Sequence, residues 1–209
     1  LAGSWKGVDF INPERDGAVL PILHLNGYKI SGPTVLARHS DEDLAAFFSG
    51  QGYAPVFVEG DDPALVHRQM AMVMEQAVLD IRAIQAEARA HGCSVRPRWP
   101  LIVLRTPKGW TGPSVVDGVQ VEGTFRAHQV PVADVVRNPG HLQILETWLR
   151  SYRPDELFTE TGDLAPEIAA LAPEDIRRMG ANPQANGGLL TRDLNLRDYA
   201  DYAVTFEAR

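Results

Sequence analysis

Cysteine is almost missing from this chain: Cys93 is the one thiol among 209 residues. An internal disulfide is therefore excluded, and there is no cysteine pair to hold zinc. Positive charge is also scarce, with 20 Lys and Arg against 27 Asp and Glu and a formal net charge of −7. That balance offers no broad basic field to nucleic acid or to an anionic membrane surface, so any phosphate site must be local. An apolar run of membrane length, a signal-like start, an internal repeat and a low-complexity tract are all lacking. These absences predict a cytoplasmic protein with no nucleic-acid or membrane partner. What is present is 44% hydrophobic content, enough for one α/β domain with its own core and an irregular tail.

Hydrophobic patterning orders the first half of the chain. Residues 18–25 form a continuous apolar run between Asp16-Gly17 and Asn26-Gly27, as expected of a central parallel strand buried on both faces. A short helix is expected over 33–37. Another is expected over 41–48, with Ser40 as cap, Asp43 at the third helical position, and Gly50 and Gly52 as stops. Residues 54–58 read as a strand. Asp62-Pro63 then opens the longest helix, an acidic cap followed by proline at the first helical position, running to about Arg89 and ending near Gly92. Leu65, Met72, Met74, Val78, Ile81 and Ile84 are expected on its buried face, and the Met70, Met72 and Met74 cluster reads as core packing. Residues 101–104 form the third strand. Crossovers of this length imply a parallel sheet with helices on both faces. Beyond Pro131, residues 140–152 show an amphipathic helix, followed by a proline-punctuated run with a short helical pattern at 167–171.

Ligands of open parallel sheets sit beyond the carboxyl ends of the strands. Asn26 follows one such end, Glu59-Gly60-Asp61 another, and Lys108 the third. Within Pro21 to Ile30, the turn Asn26-Gly27-Tyr28 offers a neutral side-chain oxygen and a glycine that lets the Tyr28 carbonyl swing toward the same point. Oxygen-only ligation of that kind suits magnesium or calcium. The same dipeptide is also an ordinary strand-to-turn corner. Lys108, in Pro107-Lys108-Gly109-Trp110, reads from its surroundings as a solvated loop lysine projected over the sheet edge. His128 reads as a loop histidine. His24 abuts the turn and fits either a site residue or a buried polar group satisfied by backbone, whereas His39, His67, His91 and His141 carry no special chemistry. Glu59, Asp61 and Asp62 are explained as a helix cap and loop charges.

Four segments, HLNGYKI at 24–30, TPKGWTGP at 106–113, VEGTFRAHQVP at 121–131 and RRMGANPQANGG at 177–188, resemble in order those of the thiamine-diphosphate-dependent phosphoketolases. The resemblance runs over 4–204. It implies a partial thiamine-diphosphate-binding fold from an enzyme that splits xylulose 5-phosphate or fructose 6-phosphate with inorganic phosphate to acetyl phosphate and an aldose phosphate. It further implies that Asn26 and the Tyr28 carbonyl hold Mg2+ or Ca2+, that Lys108 contacts the cofactor diphosphate, with His24 the next cofactor-binding candidate, and that His128 transfers a proton at the reacting carbon.

Family members carry a Gly-Asp-Gly metal motif expected just upstream of Leu1 and a catalytic glutamate in a following domain, and neither occurs here. Residues 1–152 are thus expected to be the later part of the diphosphate-binding domain. Residues 153–209 are expected to be a linker toward a pyrimidine-binding domain, wrapped around a neighbour. The chain alone is expected to be inactive, and the intact enzyme to be a homo-oligomer. Gln184 stands where many relatives are expected to have histidine. A transketolase-like enzyme, and a non-catalytic scaffold or interaction piece, are the other readings.

Overall fold

Local signals set the helix boundaries. In the computed structural model, which describes residues 2–92, 95–128, 130–182, 198 and 202, a 3-10 stretch Ala2–Phe10 leads to strand β1 (Ile22–His24) and helix α1 (Asp41–Gly50). Ser40 Oγ accepts the Asp43 N–H at 3.2 Å, and Asp41, Glu42 and Asp43 lie at the positive end of the helix dipole. Gly52, at φ +99°, turns the chain into strand β2 (Tyr53–Glu59). Helix α2 (Pro63–His91) starts where Asp62 Oδ1 accepts the Leu65 N–H at 2.9 Å and stops at Gly92, at φ +75°. In place of the expected helix at 33–37, a single 3-10 turn occupies Leu36–Arg38.

Strand β3 (Trp99–Arg105) lies between β1 and β2, parallel to both, with Ile22 opposite Ile102 and Tyr53 opposite Trp99. Alternate β3 residues face opposite layers. Trp99, Leu101 and Val103 pack with Leu44 and Phe48 of α1, while Ile102 packs with Val66, Met70 and Val73 of α2. A parallel α/β sheet with helices on both faces results. Trp5, edge-on to Phe48 at 5.1 Å, caps the first layer, and its carbonyl accepts the Tyr53 hydroxyl at 3.0 Å. Burial pushes the Tyr53 hydroxyl above its usual pKa of 10.0, and the Asp9 charge adds to the effect.

Two expectations about this layer are corrected. The strand expected to be central over 18–25 is three residues long and borders the described sheet on one side, with Ile22 44% exposed. An unbroken apolar run does not reveal how many neighbours a strand has, and β3 alone is paired on both sides. The buried seam of α2 is Val66, Met70, Val73, Ala77, Ile81, Ile84 and Ala88, at steps of three and four. Leu65, Met72, Met74 and Val78 are exposed instead. Residues two apart, such as Met72 and Met74, lie on nearly opposite sides of a helix, so the methionine cluster could not share one face.

After β3 comes an irregular strap: a hairpin of β4 (Val115–Val116) and β5 (Val119–Gln120), then a 3-10 turn Phe125–His128. Asp117 and Gly118, both at positive φ (+51° and +74°), make the tight turn that matches the twist of paired strands. Val116, Val121 and Val132 form a small core against Ala127, Val135 and Ile144, the last from helix α3 (Pro139–Ser151).

The chain divides into compact units Leu1–Trp148 and Leu149–Arg209. The second holds a 3-10 turn Pro154–Glu156, helix α4 (Pro166–Ala169) and two further 3-10 turns, with a bridge between Phe158 and Leu164. Ala165 is buried, whereas Leu171, Ile176 and Met179 are exposed. Cys93 and Gln184 lie outside the described residues. Among the described residues no helix is long and apolar enough to cross a membrane.

Candidate active site

Because β1 and β3 run parallel with His24 beside Leu104, the residues that leave them emerge side by side. The ladder continues one step as Leu25 N–H donates to the Leu104 carbonyl at 2.8 Å. His24 Nε2 lies 2.6 Å from the hydroxyl of Thr106, a residue only 6% exposed. The His24 imidazole is thus partnered by a side chain just beyond β3, not by backbone.

Asn26 ends this step. Its Oδ1 accepts the Tyr28 N–H at 3.2 Å, Gly27 adopts φ +90°, and the Gly27 carbonyl accepts the Thr34 N–H at 2.9 Å. The turn closes with Lys29 N–H donating to Gly32 at 2.8 Å. In this frame the Tyr28 carbonyl faces Lys108, whose Nζ donates to it at 3.2 Å. Lys108 is 8% exposed, not the solvated loop lysine that its surroundings in the chain suggest. A buried ammonium is costly unless it is partnered, and the carbonyl supplies that partner.

The Lys108 turn is fixed on two further sides. Trp110 Nε1 donates to the Asp61 carbonyl at 2.8 Å, joining it to the loop after β2, and the Lys108 carbonyl accepts the Gly123 N–H at 2.7 Å. Gly109, at φ +73°, lies so close to the strap that a Cβ there would stand 2.4 Å from Ala127 Cβ. His128 follows Ala127 and is exposed. Asn26, Tyr28, Lys108 and the His128 turn, 102 residues apart at their extremes (128 − 26), are therefore linked through contacts at the carboxyl ends of three parallel strands.

Beside this chain of contacts opens a cavity of about 720 Å³, lined by Ile30 and Ser31 beyond the Asn26 turn, by Phe125 and Arg126 ahead of His128, and by Asp117 and His141. Sequence reading missed two residues of this region. Thr106 is found only by placing His24 and β3 in register. His141 is only 8% exposed and is bonded to Asp117, whose Asp-Gly pair marks a tight hairpin turn.

The donor set suits a metal-bound diphosphate. It joins two neutral oxygens, Asn26 Oδ1 and the Tyr28 carbonyl, to a cation that already rests on one of them. Among the described residues no three His, Cys, Asp or Glu side chains gather as a metal centre.

Residues 1–190 match the family described as the XFP N-terminal domain. The chain belongs to the phosphoketolase family. It is 62% identical over 205 residues to a probable phosphoketolase of Rhodopseudomonas palustris strain BisB5, covering 98% of this chain and 26% of that protein. It is 60% identical over 204 residues to probable phosphoketolase 2 of a Nostoc species, again 98% of this chain and 26% of the relative. A probable phosphoketolase of R. palustris strain HaA2 is 61% identical over 208 residues, covering 100% of this chain and 26% of the relative. The chain thus spans about a quarter of the length of these phosphoketolases.

Proposed function

We propose that this chain works within a longer, thiamine-diphosphate- and magnesium-dependent phosphoketolase, which cleaves xylulose 5-phosphate or fructose 6-phosphate with inorganic phosphate to give acetyl phosphate and an aldose phosphate. The observation that carries the reading is the 3.2 Å contact from Lys108 Nζ to the Tyr28 carbonyl, which joins a phosphate-binding type of cation to a metal-binding type of turn. When bound, the cofactor supplies the electron sink for breaking the carbon–carbon bond next to the ketose carbonyl. Asn26 Oδ1 and the Tyr28 carbonyl would hold the metal, and Lys108 would neutralise and orient the diphosphate. His24, held by Thr106, lines the same edge as a cofactor contact. His128 would place its imidazole at the reacting carbon and move the proton that leaves with the substrate hydroxyl as water.

In this reading residues 1–152 serve the diphosphate side of the site and 153–209 lead to the remaining domains, the enzyme is a cytoplasmic homo-oligomer, and the 209-residue chain alone is inactive. The test is the product. The full-length enzyme should release acetyl phosphate from either ketose phosphate only when inorganic phosphate is present. Transfer of the two-carbon unit to an aldose instead would establish the transketolase-like reading, and no turnover at all the scaffold reading.

A further inference from the structure

His141 belongs to none of the four segments that mark the family, yet its side chain is among the few polar ones buried in the described chain. Its two ring nitrogens have different partners. The backbone N–H of Asp134 donates to Nδ1 at 3.2 Å, and Nε2 lies 2.8 Å from Asp117 Oδ2. A backbone amide can only donate, so Nδ1 is the acceptor and the ring proton sits on Nε2, pointing at the Asp117 carboxylate. One imidazole therefore joins three places: the start of α3, the tip of the β4–β5 hairpin, and the chain just after the His128 turn.

The two places it joins flank His128 in sequence. Asp117 lies eleven residues before it and Asp134 six after (128 − 117; 134 − 128). Between them the described residues of the strap hold little regular structure, one strand of two residues and one 3-10 turn, over a core of three buried valines. Irregular backbone over so small a core depends on individual side-chain bonds for its position. The imidazole that makes both bonds is 10% exposed, whereas the Asp117 side chain is 68% exposed.

We propose that His141 is a positioning residue, clamping the strap at Asp117 and Asp134 so that the His128 turn is held against Gly109 and the Lys108 turn. The inference rests on the proton-transfer role proposed for His128. It predicts that His141→Ala loosens the strap while the sheet stays intact. Amide exchange at Ala127 and Asp134 should quicken roughly 10-fold or more, with Val103 unchanged. In the full-length enzyme kcat should fall roughly 10-fold, with the cofactor concentration for half-saturation unchanged. His141→Asn, whose Oδ1 can accept the Asp134 N–H in place of Nδ1, should recover most of both losses. Ring nitrogen NMR of the wild-type protein should show the proton on Nε2.

Unchanged exchange at Ala127 and Asp134 in His141→Ala would overturn the proposal. So would an Asn variant no better than Ala, or a loosened strap with full turnover in an enzyme that His128→Ala cripples. If His128→Ala itself leaves turnover intact, the role of His128 fails, and the exchange measurement still decides the clamp.

Discussion

The β3-centred sheet and the strap after it lie a few residues apart in the chain and are held by different physics. Trp99, Leu101, Ile102 and Val103 are at most 1% exposed, and Ile102 and Val103 are also paired on both sides. Each is supported many times over, so the layer is insensitive to the loss of any single polar contact. The strap has Asp117, Gly118 and Gly123 at positive φ and leans on Gly109 and Lys108 of the preceding turn, on His141 and on one small core. Stability and placement are thus assigned to separate regions: apolar area keeps the unit folded, and a handful of directional bonds aims the candidate site.

Substitutions can test that division, starting with the strongest. Leu101→Ala empties a fully buried site and should cost about 2–5 kcal/mol, lowering the thermal midpoint of the whole first unit. A loss confined to the site, with unaltered melting, would break the distinction. His128→Ala should lower turnover by ~100-fold or more while leaving melting and cofactor affinity nearly unchanged. Lys108→Ala should instead weaken cofactor binding and be partly rescued by excess cofactor. Calorimetry paired with saturating-cofactor kinetics separates the two roles, and identical behaviour would merge them.

Gly109→Ala sharpens the comparison further. It adds a Cβ 2.4 Å from that of Ala127 at φ +73°, and should cost about 1–3 kcal/mol. The loss should appear as faster exchange in the strap and slower turnover before any change at β3. The smallest effect belongs to Tyr53→Phe, which removes the bond to the Trp5 carbonyl at a cost of about 1 kcal/mol. The folded-state pKa of Tyr53 is raised, so its contribution is complete below pH 10.0, the unfolded value, and is lost as pH rises toward the folded one. Alkaline unfolding should therefore begin later in Tyr53→Phe, relative to its own neutral stability.

Legibility in the sequence follows the same boundary. Ser40, Asp62-Pro63 and Gly92 act within three or four residues of themselves, so the ends of α1 and α2 could be read directly. The edge position of β1 could not, because the number of a strand's neighbours is a property of the sheet. The α2 seam differs from the expected one at Leu65, Met72, Met74 and Val78, all exposed, because a helical spacing alone does not say which face meets the sheet. Asn26, Tyr28 and Lys108 stand out in the sequence because strand ends and family segments coincide there. Lys108's burial, the Thr106 bond to His24 and the His141 bond to Asp117 all depend on long-range register, 80 residues in the case of Lys108 and Tyr28. A local pattern carries no record of such contacts.

The Lys108 residue is 8% exposed in the folded chain, before any anion arrives. Its dehydration is therefore charged to the stability of the protein and not to the affinity of the ligand. In the proposed role, a phosphate oxygen that reaches the ammonium would compete with the Tyr28 carbonyl that holds it. Drift at this position is accordingly one-sided: an apolar side chain of similar length would make folding easier and the grip weaker, so selection for stability alone would erode the site from this residue first.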